Sequence, residues 1–196
     1  MGITDFSVTL LNKIIDEYHP KNVIELGSQQ TYVAGDCYGQ YADWYYKSKG
    51  IAAYYCIDLN GENNALRLDL STEIRTEPAD LVTNFGTAEH VGSEGAFSWK
   101  AIYQCFLNVH NFTKVGGIAI HENPLTGHWP GHGFQYFSEA FYKEFAALTD
   151  YEILDLGTTC AMGNCTDGMN VYCVLRKHSE KFPTLQEFMG LSLYQK

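Results

Sequence analysis

Apolar residues at positions 6, 10, 11, 14, 15 and 18 recur at helical spacing and predict a first helix from Asp5 to Tyr18. Asp5 is read as its cap, and His19 with Pro20 as its stop, because proline cannot continue a helix. The period then changes. Short apolar runs at 23–26, 53–58, 66–70, 80–84 and 118–121 read as buried strands. A helix is expected to begin at Asp36 and run through Trp44 and Tyr45 to Gly50, and helical spacing returns over 98–113 at positions 99, 102, 103, 106, 107 and 109. Gly50 and the pair Gly116 and Gly117 are the expected terminators. A long loop over 122–133 leads to a helix capped by Ser138 and running through Phe141, Phe145 and Leu148. Runs at 151–156 and 171–175, joined without a helix, predict an antiparallel hairpin. A polar helix around 185–189 closes the chain.

Strand and helix alternate, so the expected architecture is α/β: a mostly parallel seven-stranded sheet, an antiparallel C-terminal hairpin and helices on both faces. No linker or repeat interrupts residues 1–196, which read as one domain. Its parts are an N-terminal helix (1–20), a core sheet (21–175) and a C-terminal extension (176–196).

Charge narrows the partners. Thirteen basic residues face 23 acidic ones for a net charge of -10, and no basic cluster appears, so nucleic acid is a poor partner. No apolar run approaches the roughly 20 residues needed to span a bilayer. The start has neither signal-peptide character nor a myristoylation pattern in register, so a cytoplasmic location is expected. The six cysteines form no CxxC and read as free thiols, although Cys160 and Cys165 flank a glycine-containing turn.

Ligands of α/β sheets bind beyond the carboxyl ends of the strands. Glu25, Gly27, Asp58, Asp69, Asn84, Glu89, His90 and His121 all fall at or just past such ends. Asp58, at the end of the second run, offers a carboxylate suited to both hydroxyls of a ribose. His128 and His132 have metal-like spacing, but Pro130 and Gly131 prevent the helix that would align them, and no metal ligand is expected. The loop around them reads as a substrate wall shaped by His128, Trp129, His132 and Phe134, or more plainly as a rigid loop.

Taken in order, these residues resemble class I S-adenosylmethionine-dependent methyltransferases, a Rossmann-like family, over about residues 21–175. Glu25, Leu26 and Gly27 are similar to the first family motif, Asp58 to the acid that grips the ribose, and Asp69 to the position beside the adenine amino group. Residues 80–84 match the fourth strand of the family, Glu89 and His90 a pair seen after it, and residues 115–117 its usual glycine turn. The resemblance implies S-adenosylmethionine as cofactor and S-adenosylhomocysteine as product. Glu25, Gly27, Ser28, Gln29, Gln30, Thr31, Asp58, Leu59, Asp69, Leu70, Asn84, Phe85 and Gly86 would hold the cofactor. The family's further glycines are missing after Gly27, so side chains of residues 29–31 are expected to hold the amino acid end. His90 or His121 would take the proton of a small-molecule oxygen or nitrogen nucleophile, with Glu89 orienting a histidine or binding an ammonium. Alternatives are a peptide or protein methyltransferase, or a cofactor-binding protein without turnover. A nicotinamide dehydrogenase is disfavoured, because G-x-G-x-x-G is absent.

Overall fold

A computed structural model describes residues 2–33, 38–160, 165–166 and 168–195. Helix α1 (Asp5–Tyr18) begins at Thr4 rather than Asp5: the Thr4 hydroxyl accepts from the Ser7 amide while Ser7 bonds back, a reciprocal capping box. His19 ends it in the left-handed conformation, φ 49°, just before Pro20. Strand β1 (Asn22–Leu26) leads to α2 (Ala42–Ser48), which starts later than the sequence suggests; the expected start at Asp36 lies outside the described residues.

Next come β2 (Ala53–Ile57), β3 (Ala79–Phe85), α3 (Trp99–Phe112) and β4 (Thr113–Pro124). They are followed by β5 (Gln135–Tyr136), α4 (Glu139–Thr149), β6 (Tyr151–Cys160), β7 (Met169–Lys177), α5 (Leu185–Phe188) and β8 (Tyr194–Gln195). Ser138 caps α4 as expected, and Ser98 caps α3 in the same way, each accepting an amide three residues on.

The main sheet has six strands, not seven, in the order β2-β1-β3-β4-β7-β6. The first four are parallel; β7 and β6 are antiparallel and form the expected C-terminal hairpin. The missing strand is residues 66–70, where only Leu66 bridges Ile57. Leu66 and Leu68 remain exposed, so extending the ladder there would bury little apolar surface. Asp69 then turns the chain by accepting the Ser71 amide at 2.8 Å. Helix α3 also stops earlier than Gly116, at Phe112, and β4 starts immediately.

Successive strand residues point to opposite faces. Val23, Leu81, Ile118 and Ile120 pack against α1 and α2. Ile24, Val82 and Ala119 pack against α3, α4 and α5. Two cysteines differ from the expected free thiols: the hairpin tip brings Cys160 and Cys165 to a Cα separation of 4.9 Å, and they form a disulfide. Cys56, Cys105 and Cys173 are free and buried, and Cys37 lies outside the described residues. Among the described residues no helix is long and apolar enough to cross a membrane.

Candidate active site

The chain runs from β1 outward to β2, then returns across β1 to β3. Such a reversal leaves a crevice at the strand carboxyl ends. Here it holds a cleft of about 600 Å³, floored by the turns after β1, β2 and β3. Gly27 has φ +80°, and a Cβ there would lie 2.5 Å from both Gln29 Nε2 and Thr87 Oγ1, so only glycine fits. Its amide donates to the Ile57 carbonyl at 2.8 Å.

Asp58 serves two purposes. One carboxylate oxygen accepts the Ser28 amide at 2.9 Å and the other the Asn60 amide at 3.1 Å, which fixes the loops after β1 and β2. Each oxygen keeps a second lone pair, and Asp58 lines the cleft. Asp69 stands further along the same wall with Leu68 and Leu70.

Glu25 lies beneath the Gly27 turn, fully buried, and accepts the Tyr54 hydroxyl at 2.6 Å. Burial pushes its carboxyl up to about 8, against the opposing pull of that hydroxyl and the Gln29 amide. Asn84 is also buried and organises the turn after β3: its Oδ1 accepts the Thr87 and Ala88 amides at 3.2 and 3.1 Å. Its Nδ2 donates to Asn123 and to His121 Nδ1, which leaves the His121 proton on Nε2.

At the other end of the cleft a short 3-10 turn, Ala88–His90, carries a buried carboxylate. Glu89 Oε2 accepts Asn123 Nδ2 at 2.9 Å, and Asn123 Oδ1 in turn accepts the Tyr142 hydroxyl at 2.7 Å. This chain fixes the carboxylate so that Oε1 lies 3.7 Å from His90 Nε2 and 3.6 Å from His132 Nε2. The two imidazoles meet edge to face with centroids 4.8 Å apart. His132 is delivered by the loop after β4, whose Gly133 packs on Glu89; a Cβ there would come within 2.9 Å of the Glu89 Cβ. The Phe134 amide then donates to the Glu89 carbonyl at 2.8 Å.

Of the sequence candidates, Gly27, Ser28, Gln29, Asp58, Leu59, Asp69, Leu70, Gly86, His90 and Phe134 line the cleft. Others do not. Thr31 is buried with its hydroxyl on the Gln40 carbonyl, and the Gln30 carbonyl takes the Ile3 amide. Gln29 alone of residues 29–31 reaches the cleft wall, with Nε2 donating to Leu26 and Thr87. Phe85 packs in the core between the sheet and α1 and α2. His121 is 1% exposed, its ring stacked on Phe106, and burial pushes it down to about 3. Trp129 points away, its indole donating to Met169 and Asn170, and neither it nor His128 lines the cleft. Cleft residues that sequence reasoning missed include Thr87, Val91, Gly92, Glu94 and Gly95. The two glycines were the available signal: a Cβ on Gly92 would meet the Phe134 ring at 2.7 Å.

Fold and cleft together define a class: the chain has the fold of class I S-adenosylmethionine-dependent methyltransferases. It is similar to 1,6-didemethyltoxoflavin-N1-methyltransferase from Burkholderia thailandensis, solved with 1,6-didemethyltoxoflavin and S-adenosylhomocysteine bound. That likeness has a TM-score of 0.59 at 11% identity and covers 89% of this chain and 90% of that one. N-methyltransferase NodS from Bradyrhizobium japonicum WM9 gives a TM-score of 0.57 at 10% identity, over 88% and 94% of the two chains. The [4+2]-cyclase SpnF also shares the fold, with a TM-score of 0.50 at 11% identity over 88% and 81%. No protein-family model and no curated protein matches the sequence. At these identities the likeness establishes the fold, and the reaction must be argued from the cleft.

Proposed function

We propose that the chain is a methyltransferase that binds S-adenosylmethionine in this cleft and methylates an oxygen or nitrogen of a small molecule. The observation that carries the reading is the convergence of the Gly27 turn, Asp58, Asp69 and His90 on one cavity. Asp58 is the acceptor for the ribose hydroxyls, and Asp69 with Leu70 borders the adenine. The turns after β1 and β3, through Gly27, Gln29 and Gly86, hold the amino acid end. The solved N1-methyltransferase with 1,6-didemethyltoxoflavin and S-adenosylhomocysteine bound supports the choice of cofactor and of a small acceptor.

When bound, S-adenosylmethionine would supply a sulfonium methyl group for in-line transfer to a lone pair of the acceptor, with S-adenosylhomocysteine as the leaving thioether. The acceptor would release one proton. Positioning supplies most of the acceleration of such an in-line displacement. His90, at the cleft wall, is the group placed to receive the proton. Burial lowers its pKa against the opposing pull of the Glu89 carboxylate, which favours the neutral imidazole. His121 has no such access and is left out of the mechanism.

Calorimetry with S-adenosylhomocysteine and with NAD tests the cofactor. Saturable heat with the first and none with the second is expected; the reverse overturns the reading. Transfer of a labelled methyl group to a panel of metabolites bearing hydroxyl or amine groups tests the reaction. Product binding with no transfer to any member would favour a cofactor-binding protein without turnover.

A further inference from the structure

Glu89 carries a carboxylate oxygen that is fully buried and accepts no hydrogen bond. Leaving a buried carboxylate oxygen bare is costly. Two imidazole nitrogens flank it, at 3.6 and 3.7 Å, too far for hydrogen bonds. The buried Nε2 of His132 likewise has no hydrogen-bond partner. Three polar atoms therefore lie within 4.8 Å of one another and satisfy one another poorly.

Those separations suit a bridging cation. Ligand atoms about 2.1 Å from a tetrahedral divalent ion lie roughly 3.4 Å from each other. The two Glu89 edges come within a few tenths of an ångström of that, and all three ligand atoms lie within 4.8 Å of one another. His90 is 45% exposed and His132 28% exposed, so both rings have room to close the remaining gap. The carboxylate is the rigid member, held by Asn123 and Tyr142 in the way that outer hydrogen bonds orient metal ligands.

We propose that Glu89, His90 and His132 form a binding site for a divalent transition-metal cation at the acceptor end of the cleft. Two imidazoles and one carboxylate suit zinc, iron or cobalt better than magnesium or calcium. The site is reachable from two sides. His90 lines the main cleft, and His132 lines a second recess of about 360 Å³ that shares Gly95 and Phe134 with it. Three protein ligands leave a coordination position open, and the cleft supplies a place for a substrate oxygen or nitrogen to take it. Only this last role rests on the methyltransferase reading; binding of the cation does not. With a cation bound, His90 acts as its ligand, and acidification of the coordinated acceptor group replaces proton uptake by a free imidazole.

Cobalt(II) titration of the chelator-stripped chain, followed by visible absorption and calorimetry, tests the site. One saturable equivalent is expected, weakened about tenfold or more in both His132→Ala and His90→Ala, and unchanged in the exposed control His178→Ala. Thermal melting checks that each variant is folded, and half-exposed His90 provides the safer substitution should His132→Ala unfold. No saturable binding, or equal binding in folded His90→Ala, overturns the proposal. S-adenosylhomocysteine binding, measured on the same stripped protein, keeps the two claims apart. Cofactor binding without cobalt binding sinks the metal site alone, whereas cobalt binding without cofactor binding sinks only the methyltransferase reading.

Discussion

Glu25 sits under the Gly27 turn with Tyr54 donating to one oxygen and no hydrogen-bond partner on the other. Its folded pKa of about 8 exceeds the ordinary 4.5, so the folded chain binds the extra proton between those values. The contribution of Glu25 is therefore intact below pH 4.5 and is lost as pH rises toward 8. Glu25→Gln keeps the shape and removes the titration. Relative to the variant, the parent chain should lose on the order of 3–5 kcal/mol from acid to alkaline pH. Urea titrations of both across that range check it, and a constant difference would contradict it.

Single residues were legible where spacing fixed their position. Gly27 and Asp58 follow apolar runs at βαβ distance, and both line the cleft. The histidines were not, because a strand-end position does not say what lies above the side chain. His121 shares its strand face with Ala119 and lies under Phe106, whereas His132 arrives from a distant loop seated by Gly133. His128 and His132 share a loop, but it is His132 that lies beside Glu89 and His90.

Among elements, α1, α3 and α4 were readable from apolar spacing and the C-terminal hairpin from two runs joined without a helix, whereas the strand expected at 66–70 did not form. An alternating run becomes a strand only when a neighbour and a covering layer reward it. Beyond β2 that stretch has one bridging residue and exposed leucines. The polar closing segment hid a core residue: Phe188 of α5 is fully buried against Phe106 and Phe141, with centroids 5.7 and 6.1 Å apart. The end of α3 depends on a lysine that no sequence pattern announced. Lys177, 1% exposed, donates to the carbonyls of His110 and Thr113 at 2.8 and 3.0 Å and pairs with Glu180. Lys177→Met strips both carbonyls of that donor and should cost about 2–4 kcal/mol, read as a lowered urea midpoint with unchanged slope. A loss below about 0.5 kcal/mol, the range of an ordinary surface change, would contradict this anchoring role.

At the scale of the molecule, two layers of helices enclose a mixed sheet whose strand order reverses beside β1. That reversal gathers a glycine turn, two acids and a histidine from separate parts of the chain into one cleft. Strand and helix alternation announced the α/β class, but which loops would share a wall depended on packing. The Glu89 cluster is an example, since Asn123, Tyr142 and Gly133 all contribute to its geometry. The central claim is that this cleft is a nucleoside-cofactor site built around Asp58 and Asp69. A crystal structure with S-adenosylhomocysteine tests it most directly. The account predicts ribose hydroxyls on the Asp58 carboxylate and the adenine beside Asp69 and Leu70. A ligand seated elsewhere, or a cleft left empty at saturating concentration, would contradict it.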